Sequence, residues 1–558
     1  MLQSKSKIDI IESLPILFVI IVAIVFRFYG LKWGLDPELH LFSYHPDEFL
    51  ILGSAYMAVY TAKSLNPGFY NYPSLYIYLC AIAIAVALFY FPFKSDVGYE
   101  VYIITTFRFV TALMGVGAVR LTYWAGCKFW NKQAGCMSAF ILAILPLHVQ
   151  HSHFATVDVP CTLFTAACLG GAALILNRGK HSDYIIAGLF AGLAAGTKYN
   201  AGSVYIAVIL AHLLRENNPF IAKIRDSKIW ISLAVLIVAF IISTPGSVLY
   251  FSSFKTGILY ELAHSKEGHG LVFAGTGSGL IYHLKSSLFY GLGLGVLITL
   301  IAGVFWAKFR NNKQAYVVLI FLLIYFMLLS FSEVRFARYM LPIFPAAALI
   351  VGWFITDCLA YIRDNCSKKI VIIYGAVISI LVLSTLIFST ALISSLGNKD
   401  PRDIASVWIK ENIQKNASIG IMEPPWFHLP PLSKDFGMGV LSQRIESANQ
   451  TPYNIVIFSD YPNGEWYISN QPEWIILSDF DYFDADRISK RKSKLSKTQQ
   501  EELNRVNASL DIVREKYELK KEFAGNLNIF GIKLMNTENL PHDMKYTNPT
   551  IKIYRIKK

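Results

Sequence analysis

The sequence predicts an all-α bundle that crosses a membrane many times, followed by a smaller soluble α/β domain. Hydrophobic residues make up 54% of the 558-residue chain, and the mean hydropathy is +0.43, too apolar for an ordinary soluble protein. Apolar runs able to cross a hydrocarbon core of about 30 Å recur from Ile11 to Ile393. From Asn398 to Lys558 there is none; an amphipathic helical pattern over 400–412 is followed by apolar runs at 453–458 and 474–477, so helices alternate with strands. The expected division is a membrane domain over 1–396 and a soluble domain over 397–558.

The first apolar run, over 14–28, has no small-residue cleavage site after it and reads as an uncleaved helix. Candidate spans follow near 75–93, 106–126, 134–150, 158–176, 184–197, 201–214, 229–250, 288–307, 315–331, 340–361 and 369–393. The excess of Lys and Arg on the cytoplasmic side places Lys5 and Lys7 inside and the loop 30–72 outside. If 75–93 crosses, every later basic loop falls outside, from Lys128 and Lys132 through Arg178 and Lys180 to Arg363, Lys368 and Lys369. If it lies along or re-enters the outer leaflet, as Tyr76, Tyr78 and Tyr90 suit, all these loops become cytoplasmic. The second arrangement gives about eleven crossings and an extracytoplasmic C-terminal domain. The short runs 184–197 and 201–214 are parted by Lys198, Tyr199 and Asn200; the first is rich in small residues, which pack helices closely, and a break at membrane depth lines a cavity rather than lipid.

The formal net charge of +13 does not call for nucleic acid, because the basic residues sit mostly in short loops between apolar runs. All seven cysteines lie in the membrane part without a C-x-x-C pair, so neither a disulfide framework nor a structural zinc site is expected.

With this topology one set of ionisable residues meets at the outer face: His45, Asp47 and Glu48, then Arg108, then His151, His153 and Asp158, then Lys198, and finally Arg335 and Arg338. Such groups are costly near a bilayer unless they pair or serve a site. Pro46 holds His45 extended and favours a loop presenting Asp47, whose carboxylate can take a proton from an acceptor hydroxyl; an N-terminal helix cap is the plainer reading. Glu48 is a second acidic candidate there, or a complement to the helix dipole. Asp158 also precedes an apolar run, with the same two readings. Arg108, Lys198, Arg335 and Arg338 supply the positive charge and N–H donors a departing phosphate needs, although each alone could be snorkelling to headgroups. His45, Tyr72 and His153 are candidates for substrate contact. The spacing of His148, His151 and His153 matches no strong metal signature, so a divalent metal is possible but unsupported and no cofactor is assigned. The glycine-rich stretch 268–279 lacks a following Gly-Lys-Ser/Thr and reads as a linker or a segment covering substrate.

Together the motifs Tyr44-His-Pro-Asp-Glu48, Tyr70-Asn-Tyr-Pro-Ser-Leu75, Phe107-Arg-Phe-Val-Thr-Ala-Leu113, Ala155-Thr-Val-Asp158, Gly192-Leu-Ala-Ala-Gly-Thr-Lys198 and Arg338-Tyr-Met-Leu-Pro342 resemble the GT-C superfamily of membrane glycosyltransferases. The likeness is to the protein O-mannosyltransferase and aminoarabinose-transferase group, and it spans most of the membrane part. The resemblance implies a GT-C fold and inverting transfer of a sugar from a polyprenyl-phosphate donor to an acceptor hydroxyl. It implies Asp47 as base, Asp158 as the second-loop acid and Arg108 as a donor-phosphate ligand, with Lys198 and Arg338 at recurring basic positions. The chain departs from the family in having Asn71, Tyr72 and a single Pro73 where a charged pair or histidine often precedes Pro-Pro-Leu. Expected partners are the lipid-linked donor, a glycan, lipid or protein acceptor, and the cytoplasmic (inner) membrane. The competing reading is a transporter or flippase for a lipid-linked sugar, which should show repeated halves and charges at the bilayer midplane; no repeat is visible and the acids sit at helix ends.

Overall fold

The computed structural model describes residues 2–58, 65–90, 98–216, 219–490 and 495–558, with side chains from residue 14 onward. The end of the 75–93 run, the Lys5 and Lys7 side chains and residues 491–494 of the basic run 490–497 lie outside the described residues.

The membrane part is helical throughout. Its helices are α1 (Leu2–Phe28), α2 (Pro46–Tyr56), α3 (Leu75–Tyr90), α4 (Tyr99–Phe129), α5 (Lys132–Ile144), α6 (Asp158–Asn177), α7 (His181–Thr197), α8 (Tyr205–Arg215) and α9 (Ser227–Ser243). They continue as α10 (Phe251–Glu267), α11 (Leu294–Arg310), α12 (Lys313–Ser330), α13 (Phe344–Asn365) and α14 (Lys368–Gly397). Among the described residues, five helical stretches are individually long and apolar enough to cross a membrane, or six if the bent pair Gly279–Leu292 and Leu294–Arg310, which turns through 114°, is one span. That is fewer than the expected number of crossings, and α8 shows why. At 11 residues it rises about 16 Å, but the 3₁₀ segment Tyr199–Val204 before it adds about 12 Å, so the two together return the full depth of the bundle.

The basic loops meet at one end of the bundle. Asn177 donates to the Lys128 carbonyl at 2.6 Å, Trp130 to Asn312 at 3.3 Å, and Arg310 pairs with Asp357 at 3.0 Å. At the opposite end Lys198 meets Asp158 and the Ser74 amide meets Thr244. Helix α3 stays near this second end: Tyr76 reaches Phe107 and Thr111 on α4, and a single apolar cluster joins Tyr76, Cys80 and Ile84 to Ile103 and Phe107. It therefore runs back along the first turns of α4, away from Lys128.

Close packing of α7 against α9 follows from three glycines one turn apart. A Cβ on Gly188 would lie 2.2 Å from the Ser232 carbonyl, on Gly192 2.4 Å from that of Leu236, and on Gly196 2.0 Å from the Ser243 hydroxyl.

The C-terminal part carries a five-stranded sheet in the order β2-β1-β3-β7-β4, built from β1 (Ser418–Ile421), β2 (Asn454–Ile457), β3 (Trp474–Ser478), β4 (Tyr517–Phe523) and β7 (Ile551–Ile556). β1 is parallel to both neighbours, and β7 is antiparallel to β3 and β4. Alternate residues of β1, β3 and β7 point to opposite faces. Ile419, Ile421, Ile476 and Ile553 pack on Ala405 and Ile409 of α15 (Pro401–Asn412). Ile475 and Leu477 pack on Leu503, Val506 and Leu510 of α17 (Lys497–Lys516), beside α16 (Asp479–Ser489). A separate hairpin, β5 (Asn526–Ile529) and β6 (Ile532–Asn536), places Leu527 in the apolar core of the helix bundle.

A buried polar strut joins the two parts. Arg402 pairs with Asp400 at 2.6 Å, lies 3.7 Å over the Tyr44 ring and donates to the Phe427 and Tyr546 carbonyls. Trp33 donates to Asp400, while His40 and Tyr44 hold Asp403.

Candidate active site

Pro46 starts α2, and the residue before it, His45, is extended as a residue preceding proline must be. The cap of α2 is His45, whose Nδ1 accepts from the Asp47 amide at 3.2 Å, so the Asp47 carboxylate is left for other work. Asp158 likewise makes no side-chain cap on α6.

Both carboxylates converge on Arg338, the second residue of the 3₁₀ turn Ala337–Ile343 that leads into α13. Arg338 Nη2 lies 3.2 Å from Asp47 Oδ2, and its Nε 3.9 Å from Asp158 Oδ2. Lys198, extended at the break between α7 and the 3₁₀ segment, places Nζ 2.5 Å from Asp158 Oδ1 and 4.6 Å over the Tyr339 ring. Tyr72 donates to Asp47 Oδ2 at 3.3 Å; burial, then the Asp47 charge, raise its phenol well above the usual range. Asp47 is the more accessible acid, with 14% side-chain exposure against 2% for Asp158.

From the C-terminal part, Asp543 accepts from the backbone amides of Ala337 at 3.1 Å and Arg338 at 2.8 Å, and the Tyr546 hydroxyl lies 3.5 Å from Arg338 Nη1. The cluster faces a cavity of about 630 Å³ whose walls include Asp47, Tyr72, Arg338 and Tyr339 on the membrane side and Trp426, Asp481 and Tyr546 on the other. Glu261 of α10 also lines it; burial pushes its carboxyl above the ordinary value, opposed by a hydrogen bond from Asn71 and the charge of Lys198. A carboxylate thus stands against Asn71, at the motif where the sequence lacks the family's charged pair.

Two expected site residues take a different place. Arg108 is fully buried and donates from Nε and Nη2 to both Glu48 oxygens at 2.8 Å, from Nη1 to the Leu31 and Trp33 carbonyls, and from Nη2 to Ser43. Its five N–H groups are therefore used inside the protein and are not offered to a phosphate. Glu48 also accepts from the Ala155 amide at 2.6 Å; burial would raise its carboxyl, but Arg108 brings it below the usual value. This pair positions the Asp47 loop against α4 and the Asp158 loop, and Glu48 is not placed to react.

Three other candidates also lie off the cavity. His45 is buried against Phe154 and Tyr546, and burial holds its ring well below the ordinary pKa. His153 bridges the Val149 and Tyr29 carbonyls. Arg335 donates to Thr276, Gly277 and Glu333, fastening the glycine-rich loop at a neighbouring cavity. Among the described residues no three His, Cys, Asp or Glu side chains are grouped to hold a metal.

Residues 103–247, which include Arg108, Asp158 and Lys198, match the family model described as dolichyl-phosphate-mannose-protein mannosyltransferase. An uncharacterized protein of Aquifex aeolicus is 23% identical over 273 residues, 47% of this chain and 51% of that protein, so the match spans about half of the relative's length. The crystal structure of ArnT from Cupriavidus metallidurans bound to undecaprenyl phosphate superposes with a TM-score of 0.52 at 12% identity, over 97% of this chain and 98% of that one. The Archaeoglobus fulgidus oligosaccharyltransferase tethered to an acceptor peptide gives a TM-score of 0.49 at 12% identity, over 96% and 76% of the two chains. In overall fold, and in the sequence of the helices that carry Asp158 and Lys198, this membrane-integral chain is similar to the GT-C glycosyltransferases.

Proposed function

We propose that the chain is an inverting glycosyltransferase that moves a sugar from a polyprenyl-phosphate donor to an acceptor hydroxyl. The observation that carries the reading is the single constellation of Asp47, Arg338, Asp158 and Lys198, of which Asp47 and Arg338 line the cavity while Asp158 and Lys198 stand behind Arg338. Asp47 Oδ2 is held by Tyr72 and Arg338, while Oδ1 has no protein partner among the described residues and serves as the base. The acceptor oxygen attacks the anomeric carbon as its proton passes to Asp47. The bond from that carbon to the phosphate oxygen breaks, and its electron pair leaves with the polyprenyl phosphate. Lys198 and Arg338 receive the developing negative charge, and Asp158 orients both cations.

A lipid phosphate rather than a nucleotide as leaving group is supported by the site's place at the helix ends and by the undecaprenyl phosphate carried in a structure of this fold. The basic loops at the opposite end support an extracytoplasmic site in a cytoplasmic (inner) membrane. The test is transfer by the purified chain in detergent with polyprenyl-phosphate sugars and with nucleotide sugars as donors. Turnover with the first and none with the second is expected; equal turnover with a nucleotide sugar overturns the assignment.

A further inference from the structure

A second cavity of about 660 Å³ lies where the C-terminal part meets the bent helix pair, and four lysines line it: Lys285, Lys490, Lys545 and Lys552. Among the described residues none of them makes an ion pair. Lys545 is only 2% exposed, and its ammonium lies over the rings of Phe480 at 5.0 Å and Phe483 at 4.3 Å. Lys552 lies 4.6 Å over Tyr482. The lining acids do not balance this charge: Asp484 feels the Lys545 charge and pairs with Arg487 at 3.0 Å, Asp486 pairs with Arg514 at 2.6 Å, and with Glu538 these acids face Arg487 and the four lysines in the cavity wall. Asp479 is buried nearby and acts on Lys545 only through space. A buried ammonium with no carboxylate in direct contact is costly, and a bound anion offsets part of that cost.

The membrane side of the cavity indicates which anion. Ile281, Tyr282, Lys285 and Ser286 belong to the segment before the 114° bend, and Leu280, Ile281 and Leu284 there are 36%, 50% and 39% exposed. Apolar side chains standing outward beside an ammonium-lined cavity match a lipid, whose tails meet the first and whose phosphate meets the second.

We propose that this cavity binds the phosphate headgroup of an anionic membrane lipid, held by Lys285, Lys545 and Lys552. None of Asp47, Asp158, Lys198 and Arg338 lines this cavity, although it shares the walls Val272, Asp484 and His542 with the first cavity, and binding is read directly, without turnover. The full chain in a neutral detergent is titrated with short-chain phosphatidylglycerol, short-chain phosphatidylcholine and inorganic phosphate, with binding followed by native mass spectrometry. Phosphatidylglycerol should bind at least tenfold more tightly than either of the others. The double variant Lys285→Gln/Lys552→Gln, which changes two side chains that make no ion pair, should weaken it at least fivefold with an unchanged melting temperature, and Lys545→Met should weaken it further. Equal affinity for the two lipids overturns the proposal. Inorganic phosphate bound as tightly as phosphatidylglycerol makes this a free-phosphate site and overturns the lipid assignment. A double variant that binds like the wild type also overturns it.

Discussion

Asp47 has one carboxylate oxygen engaged by Tyr72 and Arg338 and the other without a partner among the described residues, whereas both oxygens of the adjacent Glu48 are closed by Arg108 and the Ala155 amide. Asp47→Asn keeps the size and loses the base, so turnover should fall by about 10²–10⁴-fold with donor affinity retained, as single-turnover and donor-binding measurements would show. Arg108→Met should act on folding instead. It strands a buried Glu48 carboxylate at a cost of about 3–5 kcal/mol, read as a lowered melting temperature, and Glu48→Gln in the same chain should recover part of that loss. Asp479 titrates in the opposite sense. Both its oxygens are buried, and burial raises its pKa above the unfolded value, opposed by the Lys545 charge and a backbone hydrogen bond from Thr550. Its contribution therefore favours the fold at low pH and is lost as pH rises through the folded pKa. Asp479→Asn should raise the melting temperature more at pH 8 than at pH 4. The sequence placed Asp47, Asp158, Lys198 and Arg338 in one set because each stands beside a proline or at the end of an apolar run. It could not separate Asp47 from Glu48, since adjacent residues on a first helical turn differ only in which neighbour the fold brings to them.

At the level of helices, the glycine ladder Gly188, Gly192 and Gly196 lets α7 approach the α9 backbone. Gly192→Leu should separate the two helices and shift Lys198, which follows directly on α7, so that both thermal stability and donor affinity drop. Gly375→Leu, where no neighbour lies near the missing side chain, should leave both unchanged. Apolar runs and small-residue content made these helices readable in advance; the position of α3 along the first turns of α4 rests on contacts of Tyr76 and Ile84 that the pattern of the 75–93 run does not specify. The 3₁₀ continuation into α8 was not readable, because a change from 3.6 to 3.0 residues per turn over 199–204 leaves no mark in so short an apolar pattern.

Across the whole molecule, the Arg338 backbone is fixed by Asp543, more than two hundred residues away, and the cavity is closed by Trp426, Asp481 and Tyr546. Asp543→Ala should free the amides of Ala337 and Arg338, lowering kcat more than it raises the donor KM. No periodicity marked Asp543, which sits in the 3₁₀ turn His542–Thr547, and a short turn near the chain end carries no signal of what it touches. Of the C-terminal strands, β2 and β3 were legible from the apolar runs 453–458 and 474–477 and the others were not, and the docking through Asp400, Arg402 and Asp403 onto Trp33, His40 and Tyr44 depends on contacts remote in sequence.

That docking brings the loop before α2 and the 3₁₀ turn His542–Thr547 to one wall. During synthesis, Asp47 leaves the ribosome almost five hundred residues before Asp543 does. The wall that Asp47 and Asp543 share therefore cannot form while only the preceding helices have been made, and the proposed site is assembled only after residue 543 has been synthesised.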